Sequence, residues 1–178
     1  NLNQESIKKF LESLQLILGI SYYKLYCPPK IITSFQLSQD QANFWNVIYK
    51  KGLGEFLYRN KIDPRRLAKF PHSKINSTPM RIKVRDRALL GVGGGKDSIV
   101  AAELLQNFDI TSFLVETQKK DLISERVIEE IGRSSLKIQR ILDPKLFEIY
   151  EGGYNGHIPI SAIFAFLGIL TAAMYEYK

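Results

Sequence analysis

The stretch from Ala88 to Ser98 constrains the fold more than any other part of this sequence. Ala88 to Val92 is a short apolar run bounded by glycines, which is typical of a buried strand in a parallel sheet. Gly93, Gly94 and Gly95 follow it, and Asp97 to Asn107 then repeats apolar residues at helical spacing, through Val100, Ala101, Leu104 and Leu105. The pattern predicts a strand, a sharp turn and a helix, the unit from which α/β folds are built.

The same alternation continues toward the C-terminus. Further strands are predicted at Ser112 to Val115 and Leu136 to Ile141, and helices at Ser124 to Ile131, at Leu146 to Tyr150 and from Ser161 onward. Strands that alternate with helices favour a parallel sheet with right-handed crossovers. We therefore expect an α/β fold with a Rossmann-like parallel sheet over residues 81–178.

The first 80 residues have a different pattern and are expected to be mainly helical. Their first helix is expected to end at Gly19, with Ser21 to Tyr26 extended beyond it. Ser38 and Gln41 form a capping-box pattern that predicts the start of a second helix. That helix would end near Gly52, and a third would span Gly54 to Asn60.

Composition narrows the class of protein. Hydrophobic residues make up 45% and charged residues 24%, the ordinary balance of a soluble globular chain. The net charge of +7 suits nucleotides and anionic metabolites as well as nucleic acid. The basic run from Lys74 to Arg87 has no interleaved aromatic side chains for base stacking, so nucleic acid is not the expected partner. The single cysteine, Cys27, indicates a reducing compartment, and the cytoplasm is the expected location.

The apolar stretch from Ile158 to Met174 is expected to be a buried helix. It spans 17 residues, includes Pro159 and lacks flanking charge clusters, which does not favour a membrane span. The chain begins with Asn1 and stops at Lys178 within the predicted helix, so we expect it to be a fragment of a longer protein.

The residues from Gly93 to Ser98 have the chemistry of a phosphate-binding loop. Glycines let backbone N–H groups approach a polyphosphate, and the start of the following helix adds partial positive charge. Lys96 can pair with phosphate oxygens, Asp97 can hold a magnesium ion that bridges them, and Ser98 can donate to a phosphate or cap the helix.

Two common nucleotide-binding motifs do not fit this loop. A Walker A motif requires glycine where this chain has Leu90 and Ser or Thr where it has Asp97. The dinucleotide fingerprint fails because Lys96 or Ser98 occupies its third glycine position. The loop instead resembles the SGGxDS pattern of ATP pyrophosphatases, with Gly93 in place of the first serine. That resemblance implies an enzyme that adenylates a carbonyl or carboxyl oxygen and releases pyrophosphate.

Four segments extend the resemblance over nearly the whole chain and make it more specific. They are LGISYYKL from Leu18 to Leu25, GLGEFLYRN from Gly52 to Asn60, GVGGGKDSIV from Gly91 to Val100, and YNGHIPISAI from Tyr154 to Ile163. Together they resemble the MurL family of UDP-N-acetylmuramoyl-L-alanyl-L-glutamate epimerases. The glycine segment and the segment around Asn155 are its most specific parts.

The resemblance implies a cytoplasmic isomerase that uses ATP and Mg²⁺ to convert the terminal L-Glu of UDP-MurNAc-L-Ala-L-Glu to D-Glu, in peptidoglycan synthesis. Adenylation of the carboxylate would make the neighbouring α-proton acidic. The enzyme would then need at least one positioned base and one acid. Residues 1–80 would contribute to substrate binding, and residues 81–178 would form an ATP-binding domain truncated at its C-terminus.

We assign candidate roles on the same basis. The candidate catalytic residues are His157, Asn155 and Lys96; the candidate ATP-binding residues are Gly93, Gly94, Gly95, Lys96, Asp97, Ser98 and Glu116, with Asp97 as magnesium ligand; the candidate substrate-binding residues are Tyr23, Lys24, Glu55 and Arg59.

Other interpretations of these residues stay open. His157 could hold the start of a helix, Glu116 could be a solvated strand end, and Cys27 could be a proton-transfer thiol or a small buried residue. At the level of the whole chain, the alternatives are another ATP pyrophosphatase, such as a tRNA-modifying or amide-forming enzyme, and a nucleotide-binding module without turnover.

Overall fold

The computed structural model of the chain describes residues 2–76, 78–117, 121–148 and 152–178. Contacts divide the chain into two units. The N-terminal unit comprises Gln4–Met80 and Pro144–Phe166, and the sheet unit comprises Arg81–Asp143 and Leu167–Lys178 with the extreme N-terminus. One boundary between the two units falls after residue 80, and residues 144–166 group with the N-terminal unit.

The first 80 residues of the N-terminal unit are helical, as expected, and the described residues among them contain no strand. Their helices are α1 (Gln4–Tyr26), α2 (Gln39–Gly52) and α3 (Gly54–Arg59), followed by a 3₁₀ turn at Pro64–Arg66. The predicted capping box is confirmed at the start of α2. The Gln41 N–H donates to the Ser38 hydroxyl over 3.3 Å, and the Ser38 N–H donates to the Gln41 side chain over 2.9 Å.

The predicted end of α1 at Gly19 is wrong, because the helix continues through the aromatic segment to Tyr26. Its buried face extends past the glycine through Ile20 and Tyr23. A glycine inside a helix costs about 1 kcal/mol, and burial of two such side chains outweighs that cost. The helix ends at Tyr26, and the next residue, Cys27, adopts a left-handed φ of +43°.

The sheet unit is built on three parallel strands in the order β1–β2–β3, as the alternation of elements predicted. The strands are β1 (Ala88–Gly91), β2 (Ile110–Glu116) and β3 (Ser135–Gln139), and the helices that follow the first two are α4 (Lys96–Leu104) and α5 (Leu122–Ile131). In the register, Ala88 lies opposite Ile110 and Ser112 opposite Ser135. The carboxyl ends of all three strands therefore meet at one edge of the sheet.

The middle strand is covered on both faces. Leu114 packs with Val92 and Ile128 in an apolar cluster that α5 completes. The adjacent residue, Phe113, points to the opposite face, where it lies against Gly168. A strand buried on both sides needs an almost continuous apolar run, and this is why β2 was recognisable in the sequence.

The helix predicted from apolar spacing is confirmed as α4, but not all of its apolar residues face the sheet. Val100 and Leu104 are 55% and 76% exposed, whereas Ala102 is buried. Apolar spacing predicts a helix, but it does not fix which side of the helix meets the sheet. The rotation of α4 about its own axis depends on the backbone conformation of the preceding glycine turn.

Two helices complete the described chain: α6 (Lys145–Glu148) and α7 (Ile160–Tyr175). The last two residues of the helix predicted at Leu146 to Tyr150 lie outside the described residues. Among the helices that the structure describes, none has both the length and the apolar character needed to span a membrane.

Candidate functional sites

The glycine loop, Gly93–Ser98, connects the carboxyl end of β1 to the start of α4. Gly95 occupies the N-cap position of α4, and no side chain caps that end of the helix. The first-turn N–H groups of a helix have no intrahelical partner, and they attract anions when no side chain occupies them. The loop thus presents backbone donors at the sheet edge where α/β proteins bind ligands.

Gly94 is the position in this loop that accepts only glycine. Its φ is +71°, and an added Cβ would lie 2.9 Å from the Ser124 hydroxyl and 3.2 Å from the Ser124 backbone nitrogen. Ser124 is fully buried, and its hydroxyl donates to Asp121 over 2.6 Å. The start of α5 therefore determines the shape of the loop. The sequence analysis missed this contact, although Asp121 and Ser124 have the three-residue spacing of an N-cap pair.

Ser98 folds back onto the loop. The N–H of Gly93 donates to its hydroxyl oxygen over 3.1 Å, so the hydroxyl proton is still available to a ligand. A Cβ added at Gly93 or Gly95 would meet nothing within 4 Å, which leaves the space in front of the loop open. Uncapped N–H groups beside open space fit a polyphosphate.

Lys96 and Asp97 are both exposed at the start of α4. Within the described ranges, no three His, Cys, Asp or Glu side chains are grouped closely enough to hold a metal ion. A magnesium ion at Asp97 would therefore take its other ligands from phosphate oxygens and water, as magnesium usually does in nucleotide sites. The residues fit a metal that arrives with a nucleotide.

Glu116 ends β2 at the same edge of the sheet. Its Oε1 atom is buried and has no hydrogen-bond partner among the described residues. The Lys137 ammonium lies 4.0 Å from that oxygen, too far for a hydrogen bond, and donates instead to Glu125 over 2.6 Å. A buried carboxylate oxygen without a donor needs an explanation, and a bound ligand would provide one.

A second group of candidate residues meets around Tyr154–His157, which we call the NGH loop. The loop is held by a donor from α1 and a donor from the residue that follows α3. The Lys24 ammonium of α1 donates to the Gly156 carbonyl. The Asn60 side chain, just after α3, donates to the Asn155 carbonyl over 2.9 Å.

Gly156 lets the NGH loop approach α3 closely. Its φ is +149°, and an added Cβ would lie 2.9 Å from a ring carbon of Phe56, which is fully buried. The glycine is therefore required by both backbone conformation and space.

Glu55 joins the NGH loop to α3. Its Oε2 atom lies 3.0 Å from Nδ1 of His157, and its Oε1 atom accepts from the Arg59 guanidinium over 2.8 Å. These hydrogen bonds, that from His157 first, lower the pKa of Glu55 from its ordinary value. The side chains of His157 and Glu55 are 80% and 50% exposed, so the imidazole can reach a ligand.

The structure brings five sequence-predicted residues together here: Lys24, Glu55, Arg59, Asn155 and His157. Tyr23 does not share these contacts, since its hydroxyl accepts from the Ala68 N–H and its ring packs against Tyr49. Cys27 is half-buried, and burial raises the pKa of its thiol, which disfavours the reactive thiolate.

The chain was compared with known proteins. The family model for the MurL N-terminal domain matches residues 1–178. Three curated relatives are each named UDP-N-acetyl-alpha-D-muramoyl-L-alanyl-L-glutamate epimerase. The protein of Xanthomonas oryzae pv. oryzae is 34% identical over 97% of this chain and 39% of its own length. The proteins of Micromonospora sp. and Salinispora tropica are 33% and 32% identical over 95% of this chain, and over 38% and 37% of their own lengths.

The chain thus spans about two-fifths of the length of these relatives. No solved structure matches it. The family match covers the glycine loop, the NGH loop and the helices that hold the second of them. The chain belongs to the MurL N-terminal domain family.

Proposed function

We propose that this chain supplies the ATP-binding part of an enzyme that epimerises the terminal L-Glu of UDP-MurNAc-L-Ala-L-Glu during synthesis of peptidoglycan precursors. The observation that carries the proposal is the shape of the glycine loop. It lies at the carboxyl edge of a parallel sheet, opens a helix that no side chain caps, and has Gly94 in a conformation that excludes other residues. The shared name of the three relatives supports the same reaction.

The loop residues would hold the triphosphate of ATP. Backbone N–H groups of Gly93 to Gly95 and the Ser98 hydroxyl would donate to phosphate oxygens, and Lys96 would neutralise their charge. A magnesium ion at Asp97 would neutralise the negative charge that develops on the leaving pyrophosphate. We retain the ATP-pyrophosphatase type for this fold as part of the proposal.

The proposed use of ATP has a chemical reason. An α-proton beside a carboxylate is barely acidic, because its removal builds a second negative charge. When the substrate carboxylate displaces pyrophosphate from ATP, it becomes a mixed anhydride with AMP. The α-proton can then leave to a base, a proton can return on the other face to give D-Glu, and water can release AMP.

We propose His157 as one of the groups that carry these protons. Imidazole exchanges protons near neutral pH, and Glu55 holds its Nδ1 edge, which leaves Nε2 for the substrate. We propose that the amide of Asn155 also contacts the substrate. Lys24 and Arg59, expected to contact the substrate directly, have partners within the protein, so their proposed role is to shape the site.

The test uses the complete protein with ATP, Mg²⁺ and UDP-MurNAc-L-Ala-L-Glu. Pyrophosphate release that requires the peptide, with D-Glu recovered after hydrolysis, is the expected result. Release that requires tRNA would support a tRNA-modifying ATP pyrophosphatase instead. ATP binding without release under any of these conditions would support a binding module. An Asp97→Ala variant with full activity would remove the proposed magnesium ligand.

A further inference from the structure

Arg140 is the first residue after β3, at the carboxyl edge of the sheet. Its backbone N–H donates to the carbonyl of Glu116 over 2.7 Å, so the residue that ends β2 and the residue that follows β3 lie side by side. Neither the glycine pattern nor the family resemblance drew attention to Arg140.

The Arg140 side chain is half-buried. Its Nε atom is inaccessible to solvent and makes no hydrogen bond within the described residues. Burial lowers the pKa of Arg140, but arginine stays charged at neutral pH.

Two other arginines of the sheet unit make contacts that are typical of a structural role. Arg85 forms an ion pair with Glu176. The Arg87 guanidinium, whose Nε is also buried without a hydrogen bond among the described residues, lies 4.1 Å above the ring of Tyr177. Arg140 has neither kind of contact among the residues that the structure describes. Within the described residues, two buried polar atoms at the carboxyl edge make no hydrogen bond. They are the acceptor Oε1 of Glu116, which has the Lys137 ammonium 4.0 Å away, and the donor Nε of Arg140. Buried polar atoms are normally paired, so both are candidates for ligand contact.

Strand spacing indicates which part of a nucleotide they would meet. Neighbouring strands lie about 4.8 Å apart, which places the ends of β1 and β3 roughly 10 Å apart. A triphosphate bound on the glycine loop after β1 would leave the nucleoside to extend across β2 toward β3. Carboxylates at the end of a second parallel strand accept hydrogen bonds from ribose hydroxyls in other α/β nucleotide sites.

We propose that Arg140 is a nucleoside-binding residue, with its guanidinium on the adenine base of ATP and Glu116 beside it on the ribose hydroxyls. A planar guanidinium suits this position, because it stacks on aromatic rings and donates in the plane at the same time. The inference rests on the proposed use of ATP and adds the part of the protein that recognises the nucleoside.

A comparison of two ligands distinguishes contacts with the nucleoside from contacts with the phosphates. Titration calorimetry in the complete protein would measure the binding of Mg·ATP and of Mg·tripolyphosphate, which lacks the nucleoside. Arg140→Met is expected to weaken ATP binding about five- to thirty-fold and to leave tripolyphosphate binding unchanged. The matched control is Arg133→Met. Arg133 lies two residues before the same strand, is exposed, and donates to the Gln106 carbonyl, so its replacement is expected to change neither ligand's affinity.

Each result supports or overturns the inference. If Arg140→Met binds ATP as tightly as the wild type, Arg140 does not contact the nucleoside. The same conclusion follows if its affinities for ATP and for tripolyphosphate fall to the same degree. If the wild type binds neither ligand, the proposed function itself fails, and the wild-type titration shows this before any variant is made.

Thermal unfolding without ligand provides the check on folding. Because Nε of Arg140 has no hydrogen-bond partner among the described residues, Arg140→Met is expected to unfold at the same temperature as the wild type or higher. A lower temperature would assign Arg140 a structural role. In that case Arg140→Lys, which keeps the charge but not the planar donor, gives the second test. It is expected to weaken ATP binding without changing tripolyphosphate binding, and equal ATP affinity would overturn the inference.

Discussion

The Nδ1 atom of His157 lies 3.0 Å from Oε2 of Glu55, although 102 positions separate the two residues in the chain. The contact connects a loop that the sequence singled out for catalysis with a helix that it assigned to substrate binding. It also changes the expected role of Glu55, because a carboxylate that holds an imidazole and a guanidinium on its two oxygens is occupied. Glu55 is better placed to orient His157 than to bind the substrate.

We expect Glu55→Gln in the complete protein to lower kcat about 10- to 100-fold with little change in KM, as is usual when an orienting carboxylate is removed. The measurement is steady-state formation of D-Glu. Glu5→Gln is the control, since Glu5 forms a comparable exposed ion pair with Lys9 at 3.2 Å. A Glu55→Gln variant whose only change is a higher KM would return Glu55 to a direct role in substrate binding.

The pKa of Glu55 should depend on His157. Because the hydrogen bond from His157 is the main cause of the lowered pKa, His157→Gln should raise it toward the ordinary value near 4.5. Arg59→Gln should raise it less. Carboxyl carbon chemical shifts measured by NMR during an acid titration would give these values. No change in His157→Gln would mean that the contact does not persist in solution.

The same shift predicts the direction of a pH effect on stability. A carboxylate whose pKa is lowered on folding stabilises the folded state above its unfolded pKa, and this contribution is lost as the pH falls through the folded pKa. The difference in free energy of unfolding between wild type and Glu55→Gln should therefore be present just above the ordinary carboxyl pKa near 4.5 and shrink as the pH falls below it. Urea unfolding at a series of pH values measures it. A difference that grows as the pH falls would contradict the assignment.

Gly94→Ala should lower the free energy of unfolding by about 1–3 kcal/mol, because alanine is strained at a φ of +71° and its Cβ would press on Ser124. Chemical denaturation gives this value. The control is Gly93→Ala, whose Cβ would meet nothing within 4 Å, and its stability should match the wild type. In Gly94→Ala/Ser124→Ala the hydroxyl is removed, and part of the lost stability should return. If Gly94→Ala and Gly93→Ala are equally stable, the loop is not held in this conformation.

Lys24→Met should destabilise the protein by about 1–3 kcal/mol, since it removes a charged donor from the Gly156 carbonyl while keeping most of the apolar stem. Lys50→Met, on the exposed side of α2, provides the comparison and should have little effect. A Lys24→Met variant that is as stable as the wild type but has lost substrate affinity would instead support the original assignment of Lys24 to substrate binding.

Local patterns predicted most of the secondary structure. The capping pair Ser38 and Gln41 was recognisable because both partners lie within one turn of the helix they begin. The strand β2 was recognisable because burial on both faces leaves a continuous apolar run. Gly19 was misleading, because the cost of a glycine within a helix is smaller than the gain from burying the residues on both sides of it.

The sequence alone determined the alternation of strands and helices, the glycine loop at the end of a strand, and the resemblance to a family. These are local properties, set by periodicity, turn residues and short motifs. Only the tertiary structure decided that Gly94 is held by Ser124, that His157 faces Glu55, and that Glu116 and Arg140 lie side by side, each with a buried side-chain atom that makes no hydrogen bond within the described residues. Such contacts join residues that are distant along the chain, so they depend on how helices and strands pack and on the sheet register, which no local pattern specifies.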